Sequence, residues 1–238
     1  MRILILGYGK MGKAIEEIAE ERGHIIEHKI NINNTQALKF IDSKDIDVAI
    51  EFSQPDAAYN NIKYCIDHNI PVVSGTTGWL NRKPEIDELC IEKNGSFFYA
   101  SNFSLGVNLF FKLNELLAQM MEQHPSYKTE LIEIHHTEKL DAPSGTAISL
   151  AEGIIKNLSV KTKWINEPSD KENVVPIISK REPNVPGTHI IKYFSDVDEI
   201  EIKHKAKSRT GFALGAVLVA EWILDKKGVL SMKDFMKF

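Results

Sequence analysis

Along the first hundred positions, short apolar runs alternate with stretches of helical spacing. Residues 3–6, 25–30, 46–52, 71–74 and 96–100 read as strands, each bounded by turn or polar residues. Between them, residues 10–22 (closed by Gly23), 35–41, 56–69 (after the break at Pro55) and 84–93 carry helical patterns. Strand and helix in strict alternation predict a parallel sheet covered on both faces by helices, a doubly wound α/β half.

The pattern then changes. Leu105, Val107, Leu109, Phe110, Leu113, Leu116, Leu117, Met120 and Met121 recur at helical spacing until Pro125 ends the run. Residues 130–136 follow as a strand and 146–158 as a helix. Residues 174–180, 188–194 and 199–205 read as strands, the last two joined as an antiparallel hairpin through Ser195-Asp196-Val197-Asp198. A final helix, 211–226, bears an apolar stripe of Phe212, Ala213, Ala216, Val217, Ala220 and Ile223, and is expected to return to the first sheet. The organisation expected is a domain of residues 1–104 plus 210–238 and a second, α+β domain of residues 105–209 on a mixed or antiparallel sheet.

Composition narrows the class. With 238 residues, 43% apolar and 26% charged, the chain can bury a core and is not disordered. Its 29 Lys and Arg against 33 Asp and Glu lack the basic excess of a nucleic-acid binder. The longest apolar run, residues 211–220, stops at Glu221, short of the roughly 20 residues a membrane span needs. A cytoplasmic protein with no nucleic-acid or membrane partner is expected. The two cysteines, Cys65 and Cys90, lie inside helical patterns and read as buried thiols rather than a disulfide, zinc site or redox pair.

Gly7-Tyr8-Gly9-Lys10-Met11-Gly12 follows the first strand and opens the first helix. In that context Gly7 permits the tight turn, Gly9 lets backbone N–H groups approach a pyrophosphate, and Gly12 lets helix and sheet pack closely. The helix N-terminus adds partial positive charge. This predicts a Rossmann-type dinucleotide site. An acid about twenty residues on would accept the ribose hydroxyls of NAD; here Asn31 stands at the end of the second strand. Asn31 either bonds a ribose or caps a loop, and Lys10 and Lys29 are compatible with a 2′-phosphate, so NADH and NADPH both remain open.

The densest chemistry lies in residues 133–147, Glu133-Ile134-His135-His136-Thr137-Glu138-Lys139-Leu140-Asp141-Ala142-Pro143-Ser144-Gly145-Thr146-Ala147. Adjacent strand residues point to opposite faces, so His135 and His136 are expected to have separate tasks. No cysteine or recurrent carboxylate stands at ligand spacing, and no metal site is expected. Lys139 offers a cation, Ser144-Gly145-Thr146 begins a helix with free N–H groups, and histidine is a proton donor near neutral pH. The segment reads as a site for a small anionic substrate that must be protonated, or as a surface loop with a capped helix.

Residues 133–147 carry, without a mismatch, the signature Glu-x-His-His-x-x-Lys-x-Asp-Ala-Pro-Ser-Gly-Thr-Ala, and on it the chain resembles the dihydrodipicolinate reductases of the diaminopimelate and lysine pathway. The resemblance extends to Gly7–Gly12, Phe52-Ser53-Gln54-Pro55, Gly75-Thr76-Thr77-Gly78, Ala100-Ser101-Asn102-Phe103-Ser104 and His204-Lys205-Ala206-Lys207-Ser208-Arg209. The glycine turn is one residue shorter than in many members, and Asn31 replaces an acid. The resemblance implies NADH- or NADPH-dependent reduction of 4-hydroxy-tetrahydrodipicolinate to tetrahydrodipicolinate. It implies that His135 is the catalytic proton donor or acceptor and Lys139 a second proton donor. His136, Gly145 and Thr146 would bind the carboxylates of the small dicarboxylate substrate. Gly7, Tyr8, Gly9, Lys10, Met11, Gly12, Asn31, Phe52, Gly75, Thr76, Thr77, Ala100, Ser101, Asn102 and Phe103 would bind the cofactor, and the protein would be a homotetramer built through the sheet of its second domain. Two rivals stand beside it: a dehydrogenase working through a thioester, which needs a cysteine nucleophile near a strand end, and a non-catalytic dinucleotide sensor.

Overall fold

The structure, a computed structural model, describes residues 1–208 and 210–238; Arg209, which closes the motif run from His204, lies outside the described residues. In chain order the elements are β1 (Arg2–Leu6), α1 (Lys10–Glu21), β2 (Ile25–Ile30), β3 (Val48–Glu51), α2 (Pro55–Asp67), β4 (Val72–Ser74), α3 (Lys83–Glu92), β5 (Ser96–Tyr99) and α4 (Leu105–Met121). There follow β6 (Lys128–His135), α5 (Gly145–Asn157), β7 (Lys163–Ile165), β8 (Val174–Arg181), β9 (Thr188–Phe194) and β10 (Glu199–Lys205). The chain closes with α6 (Thr210–Ile223), β11 (Gly228–Leu230) and α7 (Met232–Met236). It divides into two compact units, Met1–Leu105 with Thr210–Phe238, and Gly106–Arg209.

The first unit holds a wholly parallel sheet in the order β11-β5-β4-β3-β1-β2. Alternation along β1 shows why it forms. Ile3 and Ile5 face α1 and α6, packing with Ile15, Ala19, Ala216 and Ala220, while Leu4 and Leu6 face α2 and α3 with Ile62, Cys65 and Ile86. The side chains of Ile3, Leu4, Ile5 and Leu6 are fully buried, worth about 1.5–3 kcal/mol each. Helix α6 returns to this sheet as its apolar stripe requires, and Glu221 on it bonds Arg22 (2.8 Å) and His24 (2.7 Å) beyond the end of α1. Gly215 is needed there, because a Cβ would stand 1.8 Å from the Phe103 carbonyl oxygen.

The second unit carries a mixed sheet in the order β10-β9-β6-β8-β7. β6 pairs antiparallel with β9 and parallel with β8, and β9–β10 is the expected hairpin. Phe110 and Ala118 of α4 and Leu150, Ala151 and Ile154 of α5 cover one face, over Leu131, Ile177, Ile191 and Tyr193.

Several expectations shift. Residues 35–41 form a 3-10 turn, Thr35–Phe40, because only Leu38, half-buried, and Ile41 at its end reach the core while Phe40 is exposed. Strand 46–52 shortens to β3, with the Asp47 carboxylate accepting from the Arg2 backbone N–H instead (2.6 Å). Helix 211–226 stops at Ile223, where the Lys226 N–H closes a turn on the Ile223 carbonyl (3.0 Å) and the Lys226 carbonyl accepts from Ser96 Oγ. β7, β11 and α7 are too short to show a period. Strand 130–136 ends one residue early, so His136 is off the sheet.

Candidate active site

In the first unit the loops after β1, β3, β4 and β5 leave adjacent strands at their carboxyl ends, beside the reversal of strand order between β1 and β3 where open sheets hold ligands. Gly7 has φ +100°, donates its N–H to the Ile30 carbonyl (2.9 Å), and has no room for a Cβ, which would lie 2.1 Å from Phe52 O. A Cβ on Gly12 would meet Gly7 O at 2.4 Å, whereas Gly9 faces open space. Gly9 caps α1 without a side-chain acceptor, and the first turn holds no acid. That leaves N–H groups and the dipole free for an anion. These residues fit a dinucleotide pyrophosphate.

The neighbouring loops are tied together by Glu51, fully buried at the end of β3. Its carboxylate accepts from Ser53 N–H (3.0 Å), Ser53 Oγ, Ser74 Oγ (2.7 Å) and Thr76 Oγ1 (2.9 Å). Thr76 Oγ1 in turn accepts from Ser53 N–H (2.8 Å). The Phe52 ring lies over Gly75, where a Cβ would approach it to 2.2 Å, and stands 5.3 Å from the Phe103 ring. Thr77 and Ser101 are exposed, Asn102 is half-buried, and Ala100 and Phe103 are buried. Lys10 is exposed and Met11 half-buried in the first turn of α1. Tyr8 is held through its hydroxyl by Glu16, which also binds Lys29 (2.5 Å). Asn31 Oδ1 accepts from Asn33 N–H (2.8 Å), the loop-capping role.

In the second unit, β6 points Thr129, Leu131, Glu133 and His135 inward. Glu133 is fully buried, with Oε2 2.8 Å from His135 Nδ1. Arg181 Nη1 and Nη2 stand 3.2 and 3.3 Å from Glu133 Oε1. Burial raises the Glu133 pKa, but hydrogen bonding to His135, Ser144 and Ser179 outweighs it, and the carboxyl is held well below the usual range. His189, across the ladder from Glu133, lies edge-on to His135 at 5.2 Å and contacts Ser144 Oγ through Nε2 (3.1 Å). Burial, then the His135 charge, pushes it down to about 4, so it is neutral near pH 7.

Ligand atoms of Glu133, His135 and His189 lie within 4.8 Å of one another. The Arg181 guanidinium pairs with the same carboxylate. Lys139, mostly shielded, donates to the Asp141 carboxylate (2.7 and 2.8 Å). Ser144 caps α5 by accepting from Ala147 N–H (3.2 Å), no acid stands in that first turn, and Gly145 is exposed with free space around it. His136 borders a cavity of about 370 Å³ with Thr137, Glu138, Pro183, Asn184 and Ser208. A larger cavity, about 630 Å³, lies at the opposite end of the sheet around Tyr127, Lys128 and Lys161 and contains none of the motif residues.

Arg181, Ser179 and His189 are absent from the sequence-based site. The available signal was polar residues at inward positions of otherwise apolar strands, but joining them needs the register that sets Glu133 opposite His189 and Ser179. Cys65 is buried within α2, where burial drives its thiol far up, and burial raises Cys90 likewise. Neither is the activated thiol a thioester mechanism requires.

Residues 1–103 match the family described as dihydrodipicolinate reductase, N-terminus, and residues 106–236 match dihydrodipicolinate reductase, C-terminus. The chain belongs to the dihydrodipicolinate reductase family. A 4-hydroxy-tetrahydrodipicolinate reductase of Christiangramia forsetii is 52% identical over 238 residues, 99% of this chain and 98% of that protein. One from Archaeoglobus fulgidus is 36% identical over 206 residues, 83% of this chain and 78% of that one. Among solved structures, a dipicolinate-bound dihydrodipicolinate reductase from Paenisporosarcina sp. TG-14 shares the fold, with TM-score 0.76 and 22% identity over 99% of both chains. An amine dehydrogenase from Mycobacterium smegmatis also superimposes, with TM-score 0.56 and 8% identity over 97% of this chain and 94% of that one. The fold therefore does not by itself choose the substrate; membership of the dihydrodipicolinate reductase family rests on both halves of the chain.

Proposed function

We propose that this family member reduces 4-hydroxy-tetrahydrodipicolinate to tetrahydrodipicolinate in lysine and diaminopimelate biosynthesis, using NADH or NADPH, with His135 and Lys139 handling the protons. The observation that carries the reading is 52% identity to a 4-hydroxy-tetrahydrodipicolinate reductase across 99% of the chain. A bound reduced nicotinamide supplies the hydride. The balance is one hydride and one proton in, one water out.

Gly7–Gly12 and the uncapped N-terminus of α1 hold the pyrophosphate; Phe52, Gly75–Thr77 and Ala100–Phe103 line the nicotinamide, with Glu51 bracing the Ser53 and Thr76 loops. Lys139, the free N–H groups of Gly145 and Thr146, and His136 provide cationic and dipolar capture of the two carboxylates. His135 Nδ1, 2.8 Å from a carboxylate, must carry a proton, because a lone pair there would face negative charge. Its exchangeable site is therefore Nε2, which lies 3.1 Å from where a Cβ on Gly187 would stand. An acid so placed contributes about 10²–10⁴-fold. Among the described residues no helix is long and apolar enough to cross a membrane. We further propose a cytoplasmic homotetramer acting on a small dicarboxylate.

The test follows reduced-nicotinamide absorbance, with NADH and NADPH separately, while a dihydrodipicolinate synthase generates the substrate from pyruvate and aspartate semialdehyde. Turnover requiring every component is expected. Cofactor binding without turnover would instead support the dinucleotide sensor. Lys139→Ala is expected to lower turnover at least about 100-fold while NADH affinity changes less than about twofold. Turnover preserved with cofactor affinity lost would overturn the role of Lys139.

A further inference from the structure

Arg181 ends β8 directly beside His135 in the parallel β6–β8 ladder. Its Nη1 and Nη2 reach Glu133 Oε1 at 3.2 and 3.3 Å. The same guanidinium donates from Nη2 to the Asp141 carbonyl (2.7 Å), from Nη1 to the Lys180 carbonyl (2.7 Å) and from Nε to the Lys139 carbonyl (3.4 Å). One planar group thus joins two parts of the motif that are otherwise separate. On one side is the buried carboxylate whose other oxygen lies against His135 Nδ1. On the other is the backbone of residues 139–141, whose side chains form the Lys139–Asp141 ion pair.

We propose that Arg181 is a positioning residue for both proton-handling side chains, fixing the His135 ring and its tautomer through Glu133 and the Lys139 ammonium through the backbone of residues 139–141. The proposal rests on the functional reading above. It follows from what a guanidinium alone can do: present several N–H donors in a fixed plane, so that the Glu133 carboxylate and the Lys139 and Asp141 carbonyls are held at set angles to one another. A lysine in its place keeps the charge that Glu133 needs but cannot span both partners. The chain invests a buried ion pair here, which is seldom a net source of stability. Its use is geometric: the carboxylate keeps the proton on Nδ1, leaving Nε2 to exchange with a ligand.

Arg181→Lys is the informative variant, because Arg181→Ala would leave a buried carboxylate without its cation and threatens folding. In the full-length protein we expect kcat to fall about 10- to 100-fold, the effect of a displacement of about 1 Å in an acid. NADH affinity, read by fluorescence titration, should stay within about twofold, and the thermal midpoint near wild type. In ¹⁵N-histidine NMR spectra at pH 8.5, His135 should be the Nδ1–H tautomer in the wild type and a mixture with Nε2–H in Arg181→Lys. A wild-type Nε2–H tautomer overturns the proposal. So does an Arg181→Lys protein with wild-type kcat, or one whose losses of kcat, cofactor affinity and melting temperature run in parallel. If the wild type turned over no substrate, the functional reading would fall and the tautomer measurement alone would decide: Nδ1–H unchanged in Arg181→Lys would refute positioning, and its loss would support it.

Discussion

Gly9 and Gly12 lie three residues apart in one turn, yet they are glycine for different reasons, and substitution separates them. A Cβ on Gly12 would overlap the Gly7 carbonyl oxygen at 2.4 Å, and backbone cannot swing aside as a side chain can. Gly12→Ala is expected to cost about 1–3 kcal/mol of stability and to weaken the cofactor site with it. Gly9 has nothing within 4 Å, and its φ of −95° suits any residue. Gly9→Ala should therefore melt within about 1 kcal/mol of wild type while NADH affinity falls at least about tenfold, because the methyl group stands where a pyrophosphate would approach. Urea unfolding and fluorescence titration of both variants check this; a Gly9→Ala protein with wild-type NADH affinity would remove the turn from the cofactor site. Glu51 is a similar case of hidden necessity. Removing its side chain takes the acceptor from the buried hydroxyl protons of Ser74 and Thr76, and Glu51→Ala is expected to cost about 3 kcal/mol. It should also loosen the Ser53 and Thr76 loops, which limited proteolysis with and without NADH would detect. Protection equal to wild type in both states would contradict that bracing role.

At the scale of elements, β6 and β9 bring together groups that are 54 to 56 residues apart, such as His135 with His189 and Glu133 with His189. His189 is neutral in the folded chain because burial, reinforced by the His135 charge, depresses its pKa from 6.5 to about 4; the His204 and Lys139 charges add to the depression and Glu133 opposes it. The unfolded chain binds a proton at His189 between those values and the native chain does not. Stability is thus complete above pH 6.5 and declines as pH falls toward 4, by roughly 3 kcal/mol over the window. Glu133, with a depressed carboxyl, adds its own loss only below the ordinary carboxylate range. His189→Gln keeps a hydrogen-bonding partner for Ser144 and removes the titration, so urea midpoints at pH 7.5 and 5.0 should lie closer together in the variant; equal spacing in both proteins would assign the acid loss elsewhere. The same register explains what the sequence could disclose. β2, β9 and β10 show a period over six or seven residues, and their expected limits are those observed. β7 and β11 have three residues each, too few for any period, and are held only by their neighbours. Within the site, residues 133–147 were readable because they are contiguous. Arg181 and His189 were not, since strand pairing alone assigns them to Glu133, and Glu51 read as the polar end of an apolar run until its four donors were placed around it.

For the whole molecule, the second sheet poses the remaining question, because its helices cover a single face. Ladder partners share a face, and the row Ile191, Leu131, Ile177 lies under α4 and α5. The next row, Ile190, Ile132, Ile178, crosses the same three strands on the other side, with Ile134 one step along β6. Glu130, Lys192 and Glu201 border it as a charged rim. An apolar centre with a polar edge is the composition of an interface between protein surfaces, and an apolar sheet face that α4 and α5 leave half-buried gains by packing against another layer. The proposed homotetramer supplies that layer from another copy of the same sheet, by a symmetric contact in which one patch serves both partners and closes a dimer, two such dimers being joined by a second contact. Ile132→Asp and Ile178→Asp, at the middle of the row, would leave buried carboxylates facing each other across such a contact. Light scattering is expected to give four times the chain mass for the wild type and no more than twice the chain mass for the double variant. NADH affinity should survive, since the glycine turn and its bracing residues all belong to the other unit. A wild type that is monomeric, or a double variant that remains tetrameric, would exclude this face as the interface. Loss of NADH affinity along with assembly would show instead that the cofactor half depends on the oligomer.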